Sequence, residues 1–198
     1  HFFIEQSLSS SGSLSPHRTR IGLYDYSIRG TLNVIQILDF AYSDKRTEVA
    51  AFIGKSCPDF VYPNLDDQDY ALFSLDPISL QAVKKFLGQR FEDPLLRLML
   101  WTTLGQMVRD NQLSPLDYFE TVFNALETES EEMLLGLVLG SHSTVHSQYK
   151  TYLTPKQRAL IAPKFENLIW KRLEGSRPGS NAQLIFLDFI ISIAQTKE

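Results

Sequence analysis

The chain has 198 residues, 43% hydrophobic and 21% charged, with a formal net charge of −4. This is the balance of a soluble globular protein, long enough for one large core or two small ones. The acidic excess argues against a nucleic-acid partner, which needs clustered Lys and Arg, and the longest apolar run, Leu184–Ile193, is interrupted by Asp188 and well short of a membrane span. A single cysteine, Cys57, permits no internal disulfide and fits a reducing, cytoplasmic location. The chain begins at His1 rather than Met, with no basic-then-apolar leader pattern after it, so a preceding segment is expected to have been removed.

The first 75 residues read as strands. Phe2–Gln6 is followed by a Ser/Gly-rich loop, Ser7 to Ser15, and then by Thr19–Tyr26. Ser27–Gly30 suits a hairpin turn into Thr31–Phe40, with Thr47–Ile53 next and Tyr70–Leu75 last. Runs rich in Ile, Val, Thr, Tyr and Phe between turn residues predict an antiparallel sheet or sandwich. Within Thr31–Phe40 the alternation slips, because Leu32 and Val34 share one face and Ile35 and Ile37 the other. Such a slip means either a β-bulge or burial on both faces.

From Asp76 the texture changes to helices. Asp76-Pro77, Asp93-Pro94, Ser114-Pro115 and Thr154-Pro155 each place a capping oxygen before a proline. The oxygen takes up a free first-turn amide, and proline at the first position has no N–H to lose. Ser130, followed by Glu131 and Glu132, reads as a fifth start with carboxylates at the positive end of the dipole. Leu116, Phe119, Val122, Phe123 and Leu126 form one apolar stripe. Ile161, Phe165, Leu168, Ile169 and Leu173 form another, on a helix that Pro163 should kink or divide. Leu95–Val108 and Leu184–Ala194 are apolar almost all round, which predicts cover on most sides. The expected fold is therefore mixed: a small β-sandwich over 1–75, then an all-α, solenoid-like array of antiparallel helix pairs over 76–198.

Few residues offer chemistry. His142 and His146 stand four apart, a zinc-gripping spacing on a helix, and Glu166 lies twenty residues on. The chemistry of that motif needs a glutamate directly after the first histidine to accept a proton from metal-bound water, and Ser143 stands there. Two histidines at a helix junction, near Gly140-Ser141, is the expected reading. Asp66, Asp67 and Asp69 lack the ligand spacing of a calcium loop and read as a solvated turn. Cys57 has no base nearby in sequence to activate it. Lys84, Lys85, Arg90, Lys164, Lys171 and Arg172 suit a wet helical face, and Trp101 and Trp170 suit cores. No catalytic, cofactor-binding or metal residue is assigned.

The order of motifs resembles one family. Leu14-Ser15-Pro16-His17-Arg18 with Ile21-Gly22-Leu23-Tyr24-Asp25 resembles the start of the small β-domain behind the catalytic domain in zinc aminopeptidases of the aminopeptidase N family. Pro63-Asn64-Leu65-Asp66-Asp67, Tyr70-Ala71 and Leu75-Asp76 resemble the junction with the helical C-terminal domain. Glu92-Asp93-Pro94-Leu95, Leu100-Trp101 and Met107-Val108-Arg109-Asp110 are similar to the helices that follow, especially in bacterial members. The family's H-E-x-x-H helix, distal glutamate and G-x-M-E-N strand are absent from the sequence.

The resemblance thus implies a non-catalytic C-terminal part of a metallo-aminopeptidase that removes N-terminal residues from peptides. Zinc is expected in the catalytic domain and no cofactor in this chain. The implied partner is that catalytic domain, with peptides met only indirectly as the helices cover the active site, and neither nucleic acid nor membrane is expected. A free-standing helical scaffold for protein interactions is the alternative.

Overall fold

The computed structural model describes residues 2–7, 13–28, 30–88, 91–140 and 143–194. Their contacts divide the chain into two compact units, 1–79 and 80–198.

The first unit is an antiparallel β structure. Strands β1 (Phe3–Glu5) and β4 (Arg46–Glu48) pair in one small sheet; β2 (His17–Tyr26) lies between β3 (Leu32–Tyr42) and β5 (Phe60–Tyr62) in a second. Both sheets contribute to one apolar core. Ile4 of β1 packs in a cluster with Ile21, Leu23, Tyr42, Val49, Phe52 and Val61. The central strand is buried on both faces from Ile21 to Tyr24, as a middle strand must be when each side is covered.

The slipped alternation is a bulge. Leu23 faces Gln36 and Tyr24 faces Val34, which leaves Ile35 as the extra residue on β3. Burial on both faces does not accompany it, since Val34, Ile35 and Ile37 are each about half exposed.

Two expected strands differ. The Thr47–Ile53 segment pairs only as far as Glu48; after Val49 the chain closes a 3-10 turn over Ala50–Phe52, and Gly54 follows at positive φ. Its Ala-Ala-Phe-Ile run has no period-2 pattern to hold a ladder. Tyr70–Leu75 pairs with no strand, and Tyr70 and Leu72 face solvent. The strand taking that place in the sheet is β5, which sequence patterning passes over. All three of its residues are buried, so nothing alternates, and Pro58 and Pro63 flank it like loop punctuation.

From Asp76 onward the proline devices start helices as expected. Helix α1 (Pro77–Phe86) begins where Asp76 Oδ1 accepts from the amides of Ile78 and Ser79. Helix α2 (Pro94–Arg109) is capped by Asp93, and α3 (Pro115–Leu126) by Ser114. Helix α4 (Glu132–Leu139) starts a residue later than Ser130 would place it, and its N-cap, Glu131, makes no side-chain cap bond. Instead the Glu129 carboxylate takes the amides of Ser130 and Glu131. Helix α5 (Thr144–Ser147) leads into a π-helical turn over Gln148–Tyr152. Helix α6 (Pro155–Glu174) runs unbroken through Pro163, with Ile161, Phe165, Leu168 and Ile169 holding it on the core. Helix α7 (Asn181–Ile193) follows a short turn at Gly179.

Helix α6 opens with a reciprocal cap. Thr154 Oγ1 accepts from Gln157 N, and Gln157 Oε1 accepts from Thr154 N at 2.9 Å. Thr154→Ala is expected to cost about 1 kcal/mol in urea unfolding.

Neighbours in sequence pair as hairpins, α2 with α3 and α6 with α7. Across the unit α2 packs on α4, α4 on α7, and α3 on α6. Helices α4 and α7 run parallel: Asn181 donates to Glu132 at their N-termini, and Ile185 lies against Gly136 one turn on. The core is an aromatic stack. Phe165 lies 5.4 Å from Phe119, 5.7 Å from Phe123, 5.5 Å from Tyr149 and 5.6 Å from Phe189, centroid to centroid.

The all-round cover expected for the last helix is incomplete. Phe186, Phe189, Ile190 and Ile193 are buried, whereas Leu184, Leu187 and Ile191 are exposed. Helix α4 likewise buries Leu134, Leu135, Val138 and Leu139 and exposes Met133 and Leu137. With α6 and α4 on one side, α7 has an apolar surface wider than its contacts.

Candidate functional site

Two of the three sequence-derived metal candidates, His146 and Glu166, lie among the described residues. His142 lies outside the described residues. Ser143, at the position a catalytic glutamate would need, caps α5 by accepting from His146 N at 3.2 Å. The His146 ring stands edge-on to Phe189, 6.3 Å between centroids. Glu166 is buried on α6. Among the described residues no group of three or more His, Cys, Asp or Glu side chains is placed to hold a metal ion.

Burial and charge do act on Tyr149, beside Glu166. Desolvation first, and the Glu166 charge second, push its phenol up to about 12, against a lesser opposing pull from Arg158. A raised phenol favours the folded state while neutral. Its contribution is complete below about pH 10, the unfolded value, and is lost as pH rises through about 12. Stability of the helical unit should therefore fall between those two values. Tyr149→Phe should flatten that part of the curve, read by urea unfolding at several pH values.

The acidic cluster is not a solvated turn throughout. Asp69 is buried: its Oδ1 sits 2.8 Å from His17 Nδ1, and Oδ2 accepts from the Tyr42 hydroxyl at 3.1 Å. The His17 ring stacks on Tyr42 at 5.3 Å. Asn64 Oδ1 accepts from Asp69 N and its Nδ2 donates to Asp69 O, while Thr19 Oγ1 donates to Pro63 O at 2.6 Å. Asp66 and Asp67 carry positive φ, which short polar residues tolerate, and Asp66 pairs with Arg20 at 2.8 Å. Residues of two separated motifs, at 14–18 and 63–67, thus meet in one polar network that ties β2, β3 and the 64–69 turn together. His17 has an orienting carboxylate, but the described contacts serve to clamp the unit.

Cys57 is exposed, and its thiol lies 3.8 Å from the Pro58 carbonyl. Among the expected wet-face cations, Lys84 bonds Asp117 at 3.0 Å, Lys164 sits over the Phe123 ring at 4.4 Å, and Arg90 lies outside the described residues. Arg172 departs from that reading. It donates to the carbonyls of Glu127 and Glu129 and lies over Phe186 at 5.2 Å. Trp101 is buried as expected, whereas Trp170 is half exposed and bonds Glu174 at 2.9 Å, because its position falls beside the α6 stripe rather than on it.

Two features escape sequence reading. The first is a buried ion pair: Arg97 grips Glu129 through Nε (2.8 Å) and Nη2 (3.1 Å), and its Nη1 donates to the carbonyls of Phe91 and Glu92. The partners are 32 residues apart, and no local pattern marks them. The second is a cleft of about 170 Å³ between α4 and α7, lined by Gly136, Gly140, Ile185, Asp188, Phe189 and Ser192. No described helix is long and apolar enough to cross a membrane.

A small antiparallel β unit leading into capped, paired helices is the layout on which comparison with known proteins bears. Residues 60–195 match the family described as the ERAP1-like C-terminal domain, and the chain belongs to that family. Over 186 residues it is 30% identical to Aminopeptidase N of Streptomyces lividans, an alignment covering 94% of this chain and 21% of that protein. The chain therefore spans about a fifth of the length of that curated relative, matching a C-terminal part of it.

Proposed function

We propose that this chain is the non-catalytic C-terminal part of a zinc-dependent aminopeptidase, with a small β-domain over 1–75 and a helical-repeat domain over 76–198. The observation carrying this reading is the alignment of 94% of the chain with only 21% of an aminopeptidase, together with the C-terminal-domain match over 60–195. In this reading the helices cover an active site built by the preceding catalytic domain, which supplies the zinc and is the principal partner. Covering a reaction centre with packed helices keeps out bulky substrates and bulk water, so free N-termini of peptides enter and folded chains do not. The lone exposed cysteine supports a reducing, cytoplasmic setting.

The test has two arms. The chain by itself should release no chromophore from aminoacyl p-nitroanilides and should purify without stoichiometric zinc. In the parent, deleting the helical domain should raise turnover of large peptides relative to a dipeptide-sized substrate. Zinc-dependent hydrolysis by the isolated chain would sink the reading, and an unchanged size preference after the deletion would sink the covering role.

A further inference from the structure

Inside the helical unit, three polar side-chain atoms are left unmatched by the protein's own groups. Trp101 Nε1, Tyr118 Oη and Gln148 Oε1 are buried and have no hydrogen-bond partner among the described residues. Their residues are 1%, 0% and 0% exposed, so bulk solvent does not reach them. They come from α2, α3 and the π-helical turn, which meet here. The Trp101 and Tyr118 rings stand edge to face, 6.4 Å between centroids. Gly105 lies one turn after Trp101 on the same face of α2, and its carbonyl accepts from Gln148 Nε2 at 2.9 Å. That bond fixes the amide and leaves its oxygen still to be matched. A side chain at position 105 would run into Thr144, so glycine there is what lets α5 and the turn after it come this close to α2.

The three atoms are complementary in kind. An indole N–H only donates, an amide oxygen only accepts, and a phenol can do either. Burial pushes the Tyr118 phenol far above its ordinary range, so it keeps its proton to donate. Each such group left unmatched in a packed interior carries the cost of its lost hydration, and native interiors pair nearly all of them. A bound cation would face the indole N–H, and a bound anion would face the amide oxygen. Water suits all three, because it accepts twice and donates once, the roughly three bonds that a buried water makes. We propose that one water molecule is sealed between α2, α3 and the π-helical turn, accepting from Trp101 Nε1 and Tyr118 Oη and donating to Gln148 Oε1. It fixes the Trp101 ring and the Gln148 amide relative to each other and joins three elements by polar bonds within an apolar core. The Tyr149 hydroxyl is also unmatched, but it lies under the charges of Glu166 and Arg158 and is no part of this set.

Two measurements on the whole 198-residue chain test this. A crystal structure at a resolution that shows ordered solvent should place one peak within hydrogen-bond distance of Trp101 Nε1, Tyr118 Oη and Gln148 Oε1 together. A dry interior, a peak that misses any of the three, or a direct bond from Tyr118 to Gln148 would overturn the proposal. The second measurement is urea unfolding of Tyr118→Phe, which keeps the ring and removes only the hydroxyl. A hydroxyl bonded to a sealed water contributes to the folded state, so its loss should lower the folded-to-unfolded ratio about fivefold or more. An orphaned hydroxyl works the other way, since deleting it relieves a desolvated group. A ratio in Tyr118→Phe equal to the parent's, or higher, would therefore also overturn the proposal.

Discussion

Glu129→Ala should destabilise the helical unit by about 3–5 kcal/mol, one of the two largest losses expected from single changes in this chain. Glu129 is 3% exposed and Arg97 12%, so the pair sits largely out of water. Removing the carboxylate leaves a buried guanidinium bonded only to the carbonyls of Phe91 and Glu92. The same carboxylate oxygen also holds the amides of Ser130 and Glu131, which α4 leaves without internal partners. Three roles end together: charge pairing, the start of α4, and the tie between the segment entering α2 and the α3–α4 turn. Glu129→Gln keeps an acceptor and should lose less, about 1–3 kcal/mol. Urea unfolding followed at 222 nm checks both, and a Glu129→Ala midpoint equal to the parent's would show the pair to be dispensable.

Phe165→Ala should cost a similar amount, about 3–5 kcal/mol, for a different reason. The ring is fully buried and touches Phe119, Phe123, Tyr149 and Phe189, which come from α3, the π-helical turn and α7. Deleting it opens a cavity whose walls belong to separate elements and cannot all move inward. The edge-to-face contacts go with it, each worth about 0.5–1.5 kcal/mol beyond area burial. Phe165→Leu fills most of the space and should lose less than Phe165→Ala. If Phe165→Ala unfolds at the parent's urea concentration, the aromatic stack is not what holds α6 to the core.

These two sites differ in how far the sequence reveals them. Phe165 falls on an apolar stripe with Ile161, Leu168 and Ile169, so its burial follows from helical spacing alone. The Arg97–Glu129 pair has no such signature, because its members meet only through the packing of segments 32 residues apart. The same contrast separates the acidic residues at 66–69. Their composition suggests solvation, yet His17 and Tyr42 reach Asp69 from the far ends of β2 and β3. In the β unit, the bulge at Ile35 is legible as a broken alternation. Strand β5 is not, because burial on both faces erases the alternation that marks a strand.

By itself the sequence determined the four helix starts at Asp76, Asp93, Ser114 and Thr154, since a capping oxygen and a proline act within one turn and need no distant partner. It also determined the two-part β-then-helix layout, and the motifs at 14–25 and 63–76 whose order resembles the aminopeptidase N family. Only the tertiary structure decided which charges are buried, that Trp170 faces outward, and that α4 and α7 leave a cleft between them. The physical reason is range: caps, turns and periodicity are set by neighbours a few residues away, whereas burial and pairing depend on which surfaces distant segments bring together.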